Sequence, residues 1–157
     1  MIKINAVVVG KVKERYFSEA IDEYAKRLSR FCEFKIIEIP EENYSKTDDG
    51  IVSEIKKREG ERILKKVSGY CIAMAINGKK TSSENLSDRI KKLAASGKGE
   101  ISFIIGGSYG LSDEVIKSAD ELMSFSDLTF PHTLFRVMLT EQLYRAFTII
   151  NGVAYHK

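Results

Sequence analysis

Short apolar runs without the every-other-residue polar alternation of a half-exposed strand constrain this chain most. "YCIAMAI" (70–76) is apolar throughout, and "IKINAVVV" (2–9) and "ISFII" (101–105) are nearly so. Runs of this length fit strands buried on both faces, as in parallel sheets covered by helices. The segments between them carry helical spacing instead. In "ERYFSEAIDEYAKRLSRF" (14–31), Phe17, Ile21, Tyr24, Ala25 and Leu28 share one face. "EFKIIEI" (33–39) reads as a strand, and a charged helix follows at about 50–67 after the polar stretch "EENYSKTDDG". "TSSENLSDRIKKLAAS" is a helix in which Thr81 and Glu84 have capping-box spacing. A short helix "LSDEVIKSA", a fifth strand "ELMSFS" and a last helix over 133–150 complete the pattern.

Strands alternating with helices predict an α/β fold, a mostly parallel sheet covered on both faces, in one domain spanning 1–157. Ligands of such sheets sit beyond the carboxyl ends of the strands, so the loops after Val9, Ile76, Ile105 and Phe125 are the ones to read. No run approaches the ~18 apolar residues of a membrane span, and no secretory signal opens the chain. A cytoplasmic location is the expectation. Cys32 and Cys71 lack metal or redox spacing and read as reduced thiols. His132 and His156 are too few for a zinc site, so no metal is expected.

The last helix, "TLFRVMLTEQLYRAFTII", is apolar around most of its circumference, with Arg136, Thr140, Glu141, Gln142 and Arg145 as the polar breaks. One sheet face does not cover such a helix, and a second subunit is the expected remaining cover: a homodimer. Glu141 and Arg145 have the spacing of a helix ion pair.

The loop "GGSYG" (106–110) raises the question of its ligand. It fails the dinucleotide fingerprint and follows the fourth strand, while "INGKKT" fails the P-loop pattern. Asp113 and Glu114 open the following helix and repel a phosphate from the same amides. The ligand at the loop is then uncharged or cationic, or the glycines serve a tight turn alone. "GGSYG" also matches the hydrolase elbow G-x-S-x-G around Ser108, with Asp127 and His132 or His156 in triad order.

The net charge is +3, gathered in Lys11, Lys13 and Arg15 after the first strand, Lys56, Lys57 and Arg58 on a helix, and Lys79 and Lys80 after the third strand. Each cluster alone is a solvated face; several facing one way imply RNA or another polyanion.

"SFSDLTFPHTLFRVMLTEQLYRAFTIINGVAYHK", with "FIIGGSYGLS", "AVVVGKVKERYFSEAIDEYAKRL" and "EIP", resembles the ribosomal RNA large subunit methyltransferase H family, small members of the SPOUT methyltransferases. The resemblance covers the whole chain. It implies a carboxy-terminal trefoil knot, a homodimer, and S-adenosylmethionine-dependent methylation of N3 of a pseudouridine in helix 69 of 23S ribosomal RNA in the assembled ribosome. It implies cofactor contacts at Met74, where the family commonly has Leu, at Gly106, and along Phe125, Ser126, Asp127, Leu128, Thr129 and Phe130. By the same resemblance His156 is the candidate proton acceptor, with Tyr155 stacking or hydrogen-bonding beside it; without it, "AYHK" reads as a frayed tail. Arg136 is a candidate for an RNA phosphate or the base, or an ordinary exposed arginine. His132 orders the helix entry or touches substrate, and Lys11, Lys13 and Arg15 contact RNA phosphates. Methylation of another RNA uridine, as in transfer RNA, and a non-catalytic ribosome-binding protein are the rival functions.

Overall fold

The computed structural model describes all 157 residues. Ten elements alternate along the chain: β1 (Lys3–Val9), α1 (Arg15–Leu28), β2 (Glu33–Ile39), α2 (Asp49–Leu64), β3 (Tyr70–Lys80), α3 (Ser83–Ala95), β4 (Glu100–Ile105), α4 (Asp113–Ser118), β5 (Glu121–Ser124) and α5 (His132–Ile150). The strands form one sheet in the order β2-β1-β4-β3-β5, every pair parallel. The expected α/β sheet covered on both faces is what forms.

Successive residues of β1 enter different cores, which is why the run shows no polar alternation. Ala6 and Val8 join Leu28, Ile90, Phe103 and Leu139 beneath α1, α3 and α5. Val7 and Val9 join Ile104, Ile63 and Val115 beneath α2 and α4. No helix is long and apolar enough to cross a membrane.

Two local expectations change. Strand β3 runs on to Lys80, because after an irregularity between Met74 and Lys79 it resumes pairing with β5, Lys80 opposite Ser124. The ladder still holds Thr81, whose N–H donates to the Ser124 carbonyl (3.1 Å), so Thr81 does not cap α3. Ser82 does, accepting from the Asn85 N–H at 3.1 Å.

Helix α5 packs against α1 and α3 as well as the sheet. After Asn151, Gly152 adopts φ +66 and turns the chain back along the helix, a conformation that a side chain disfavours. Tyr155 returns onto Tyr144 with ring centroids 4.7 Å apart. Much of the cover expected from a second subunit therefore comes from the chain itself, and none of the large apolar side chains that remain strongly exposed belongs to α5.

Candidate cofactor cleft

The carboxyl ends of β3, β4 and β5 open into a cleft of about 850 Å³. One wall is the turn from β5 to α5, with Phe125, Leu128 and Phe130. The other is the turn from β4 to α4 together with Lys56 of α2. Because α5 and α2 lie on opposite faces of the sheet, the cleft straddles its edge. The interrupted stretch of β3 puts Ala75, Ile76 and Asn77 at its floor.

Exposed apolar surface concentrates here. Ile76 (52% exposed), Tyr109 (43%) and Leu128 (67%) all line the cleft, and such clustering marks a binding surface. Phe125 and Phe135, both in the lining, pack against each other at 5.2 Å between centroids. No Asp or Glu side chain lines the cleft; Lys56 and His132 are its ionisable groups besides Tyr109. The absence of carboxylates and the apolar lining suit a flat heteroaromatic ligand without a metal-like charge.

The glycines have separate duties. Within the loop only Gly110 takes a positive φ (+84), so positive φ is not why Gly106 and Gly107 are glycines. A Cβ on Gly106 would lie 2.8 Å from the Gly110 carbonyl carbon, a main-chain contact that closes the turn. A Cβ on Gly107 would sit 3.0 Å from Glu59 Oε1. Ser112 caps α4, accepting from the Val115 N–H, and Asp113 and Glu114 fill its first turn. The tight turn is thus also a wall of the cleft.

Met74, Gly106, Phe125, Ser126, Leu128, Thr129 and Phe130 all line the cleft, as does His132. Asp127 does not: its carboxylate accepts from Lys80 Nζ at 2.5 Å outside the cleft. Ser126 Oγ accepts from the Leu128 N–H (3.0 Å) and holds the turn's shape.

Arg136 is neither an exposed arginine nor placed to meet an RNA phosphate. It is 3% exposed. Its guanidinium donates to the carbonyls of Val9 (3.3 Å) and Gly10 (3.1 Å) and faces Glu38 at 3.4 Å, tying the start of α5 to the end of β1. Burial pulls its pKa down, and its Nε has no partner.

Tyr155 and His156 lie outside the cleft of their own chain, and they are not frayed. The Tyr155 hydroxyl donates to Glu141 Oε1 (3.0 Å), and burial with that bond pushes its pKa up to about 12. His156 sits between Arg145 (3.2 Å) and Glu84 (2.6 Å), whose pKa it lowers by hydrogen bonding. The Glu141–Arg145 pair anticipated from spacing is present, at 2.5 Å. With Asp127 on Lys80 and His156 on Glu84, no hydrolase triad assembles at Ser108. Lys11, Lys13 and Arg15 lie beyond the end of β1, with Lys11 and Lys13 exposed and Arg15 paired with Glu19 at 2.7 Å.

Sequence reasoning missed Ile76, Tyr109 and Lys56 as cleft residues. The "NG" at 77–78 in a strand pattern was a usable signal of the irregular stretch beside Ile76.

A parallel sheet with a glycine-walled cleft at its carboxyl rim defines an α/β enzyme-like architecture. The family model described as "Predicted SPOUT methyltransferase" matches residues 2–156, and the chain belongs to that family. It is 49% identical to the ribosomal RNA large subunit methyltransferase H of Limosilactobacillus reuteri, across 99% of this chain and 100% of the relative. The fold is shared with a tRNA methyltransferase of Aquifex aeolicus (TM-score 0.53, 14% identity, 99% of this chain and 73% of that one). It is also shared with a methyltransferase of Legionella pneumophila solved with bound SAM (TM-score 0.51, 13% identity, 92% of this chain and 66% of that one).

Proposed function

We propose that this chain is an S-adenosylmethionine-dependent methyltransferase of large-subunit ribosomal RNA, with the cleft as the site of the methyl donor. The observation that carries the reading is the cleft itself, where Ile76, Leu128 and the Gly106 turn present apolar surface and main chain to a planar ligand. The full-length likeness to a ribosomal RNA methyltransferase supports the substrate class.

When bound, S-adenosylmethionine supplies an electrophilic methyl group whose transfer to a ring nitrogen leaves a neutral thioether and releases that nitrogen's proton. The chain's own part is to hold donor and acceptor in line and to exclude water. Met74, Phe125, Leu128 and Phe130 form the apolar wall, and the turn at Gly106 brings main-chain groups to the donor. The acceptor in this reading is N3 of the pseudouridine in helix 69 of 23S ribosomal RNA, on assembled ribosomes in the cytoplasm. His156 takes the N3 proton and Tyr155 orients the base. Since both lie outside the cleft of their own chain, this role requires a homodimer in which one subunit's tail serves the other's cleft. Half-buried Val137 and Met138 of α5, beside a groove of about 440 Å³, leave apolar surface for such a partner to cover. Exposed Lys11 and Lys13 hold RNA phosphates, with Arg15 beside them. The family likeness supports a carboxy-terminal trefoil knot.

Transfer of tritiated methyl into ribosomes and free RNA, with mapping of the product nucleotide, tests the reading. Label in 23S ribosomal RNA of ribosomes is expected. Label confined to tRNA moves the substrate, and donor binding in calorimetry without transfer points to a non-catalytic ribosome-binding protein. Sedimentation of a monomer at micromolar concentration removes the dimer.

A further inference from the structure

The basic cluster on α2 is not a uniform solvated face. Lys57 is exposed to solvent, Arg58 pairs with Glu54 (2.9 Å), and Arg62, further along the helix, pairs with Glu42. Lys56, partly buried, has no carboxylate within ion-pair distance, and it is the member of the cluster that lines the cleft. On the same wall Tyr109 projects from the β4–α4 turn, 43% exposed and without a hydrogen-bond partner for its hydroxyl. The wall therefore offers one aromatic face and one unmatched cation, opposite the apolar turn at Phe125–Phe130.

The adenine of a methyl donor can also stack on Tyr109, so the cation beside it is what distinguishes the ligands. S-adenosylmethionine carries a sulfonium and an ammonium against a single carboxylate, so an unpaired lysine repels more of it than it attracts. An RNA nucleotide offers a planar base for the ring together with a net anionic phosphodiester for the ammonium. Aromatic side chains and basic groups hold unstacked nucleotides in this way. Modification of a ring nitrogen also requires the base to leave its stack. Resting on the methyltransferase reading above, we infer that Tyr109 and Lys56 form the acceptor side of the cleft: the RNA base to be methylated stacks on Tyr109, and a phosphate of the same strand meets Lys56.

The test measures donor affinity by calorimetry and methyl transfer to ribosomes in parallel, for the wild type and for Tyr109→Ala, Tyr109→Phe, Lys56→Met and Lys56→Arg. Both positions are solvent-accessible, and unchanged thermal melting confirms folding. Tyr109→Ala is expected to raise KM for ribosomes ~10-fold, with Tyr109→Phe near wild type. Lys56→Met is expected to raise KM and to lower the slope of log affinity against log salt by about one, with Lys56→Arg restoring both. Donor affinity stays unchanged in all four. A fall in donor affinity in Tyr109→Ala or Lys56→Met assigns the wall to the donor and overturns the inference, as does an unchanged KM in both. A wild type that neither binds donor nor transfers methyl overturns the underlying reading, and this inference with it.

Discussion

The cleft and the carboxy-terminal tail meet the same solvent in opposite conditions. In the cleft, Ile76, Tyr109 and Leu128 expose large apolar surfaces, which is unfavourable by about 25 cal/mol for each Å² and is relieved when a ligand covers them. In the tail, Tyr155 and His156 already have partners: Tyr155 on Glu141 and beneath Arg145 (4.7 Å from the guanidinium carbon to the ring centroid), His156 on Arg145 and Glu84. Unsatisfied surface marks where a ligand binds. Satisfied groups in a short tail mark a docked segment, so a catalytic role for His156 requires its bonds to Arg145 and Glu84 to be exchanged for substrate.

The largest expected effect lies where the cleft is anchored. Arg136→Ala leaves the Val9 and Gly10 carbonyls without their donor and opens a cavity beneath α5, and about 3 kcal/mol of stability is expected to go. Urea unfolding reads it; a loss below about 1 kcal/mol contradicts the clamp. Next comes Gly106→Ala, whose new methyl meets the Gly110 main chain at 2.8 Å. Overpacking of this kind costs about 1–3 kcal/mol, and the displaced turn is expected to weaken donor binding at least ~10-fold by calorimetry. Wild-type affinity in a folded variant removes the turn from the donor's wall.

The elements of the sheet were legible because their apolar runs are a backbone-level signal. Cleft membership was legible only in part. Phe125, Leu128 and Phe130 follow from the strand-to-helix turn and the family likeness, but Asp127 within the same turn points to Lys80, since alternate side chains of a turn need not share a side. Arg136 looks like any surface arginine in sequence. Its burial depends on two carbonyls 127 and 126 positions earlier in the chain, which no local pattern reports. Thr81 lost its cap role to Ser82 for a similar reason, because a long-range strand bond to Ser124 holds its main chain. The tail was legible only through resemblance, since end position alone argues for fraying.

Two intermediate effects separate the regions by chemistry. Glu59, 4% exposed beneath Gly107, accepts from the Glu42 N–H at 3.0 Å while its other oxygen has no partner. Burial raises its pKa, so the folded state holds the proton more tightly than the unfolded chain does. Stability from this group is then present below the ordinary carboxylate range and lost as pH rises through the raised folded value. Glu59→Gln removes that slope: the wild type's Tm is expected to fall relative to the variant's across this window, and parallel curves contradict a buried titrating carboxyl. At the tail, Tyr155→Phe removes one hydrogen bond to Glu141, worth about 1 kcal/mol or a Tm drop of about 2–4 °C. A tether alone leaves kcat unchanged, whereas contact with the acceptor base lowers kcat in the same variant.

The smallest effect sharpens the boundary of the cleft. Lys80 and Asp127 pair at 2.5 Å with side chains 62% and 72% exposed. Water and salt screen such a pair, and its contribution is expected below about 0.5 kcal/mol. Lys80→Ala and Asp127→Asn should therefore melt with the wild type. The informative measurement is donor affinity, because the family likeness puts Asp127 on the donor while its geometry puts it on Lys80. If the geometry decides, both variants bind the donor as the wild type does. If Asp127 swings inward when the donor arrives, Asp127→Asn weakens donor binding whereas Lys80→Ala strengthens it, because the freed carboxylate no longer has to leave a lysine to reach the cleft.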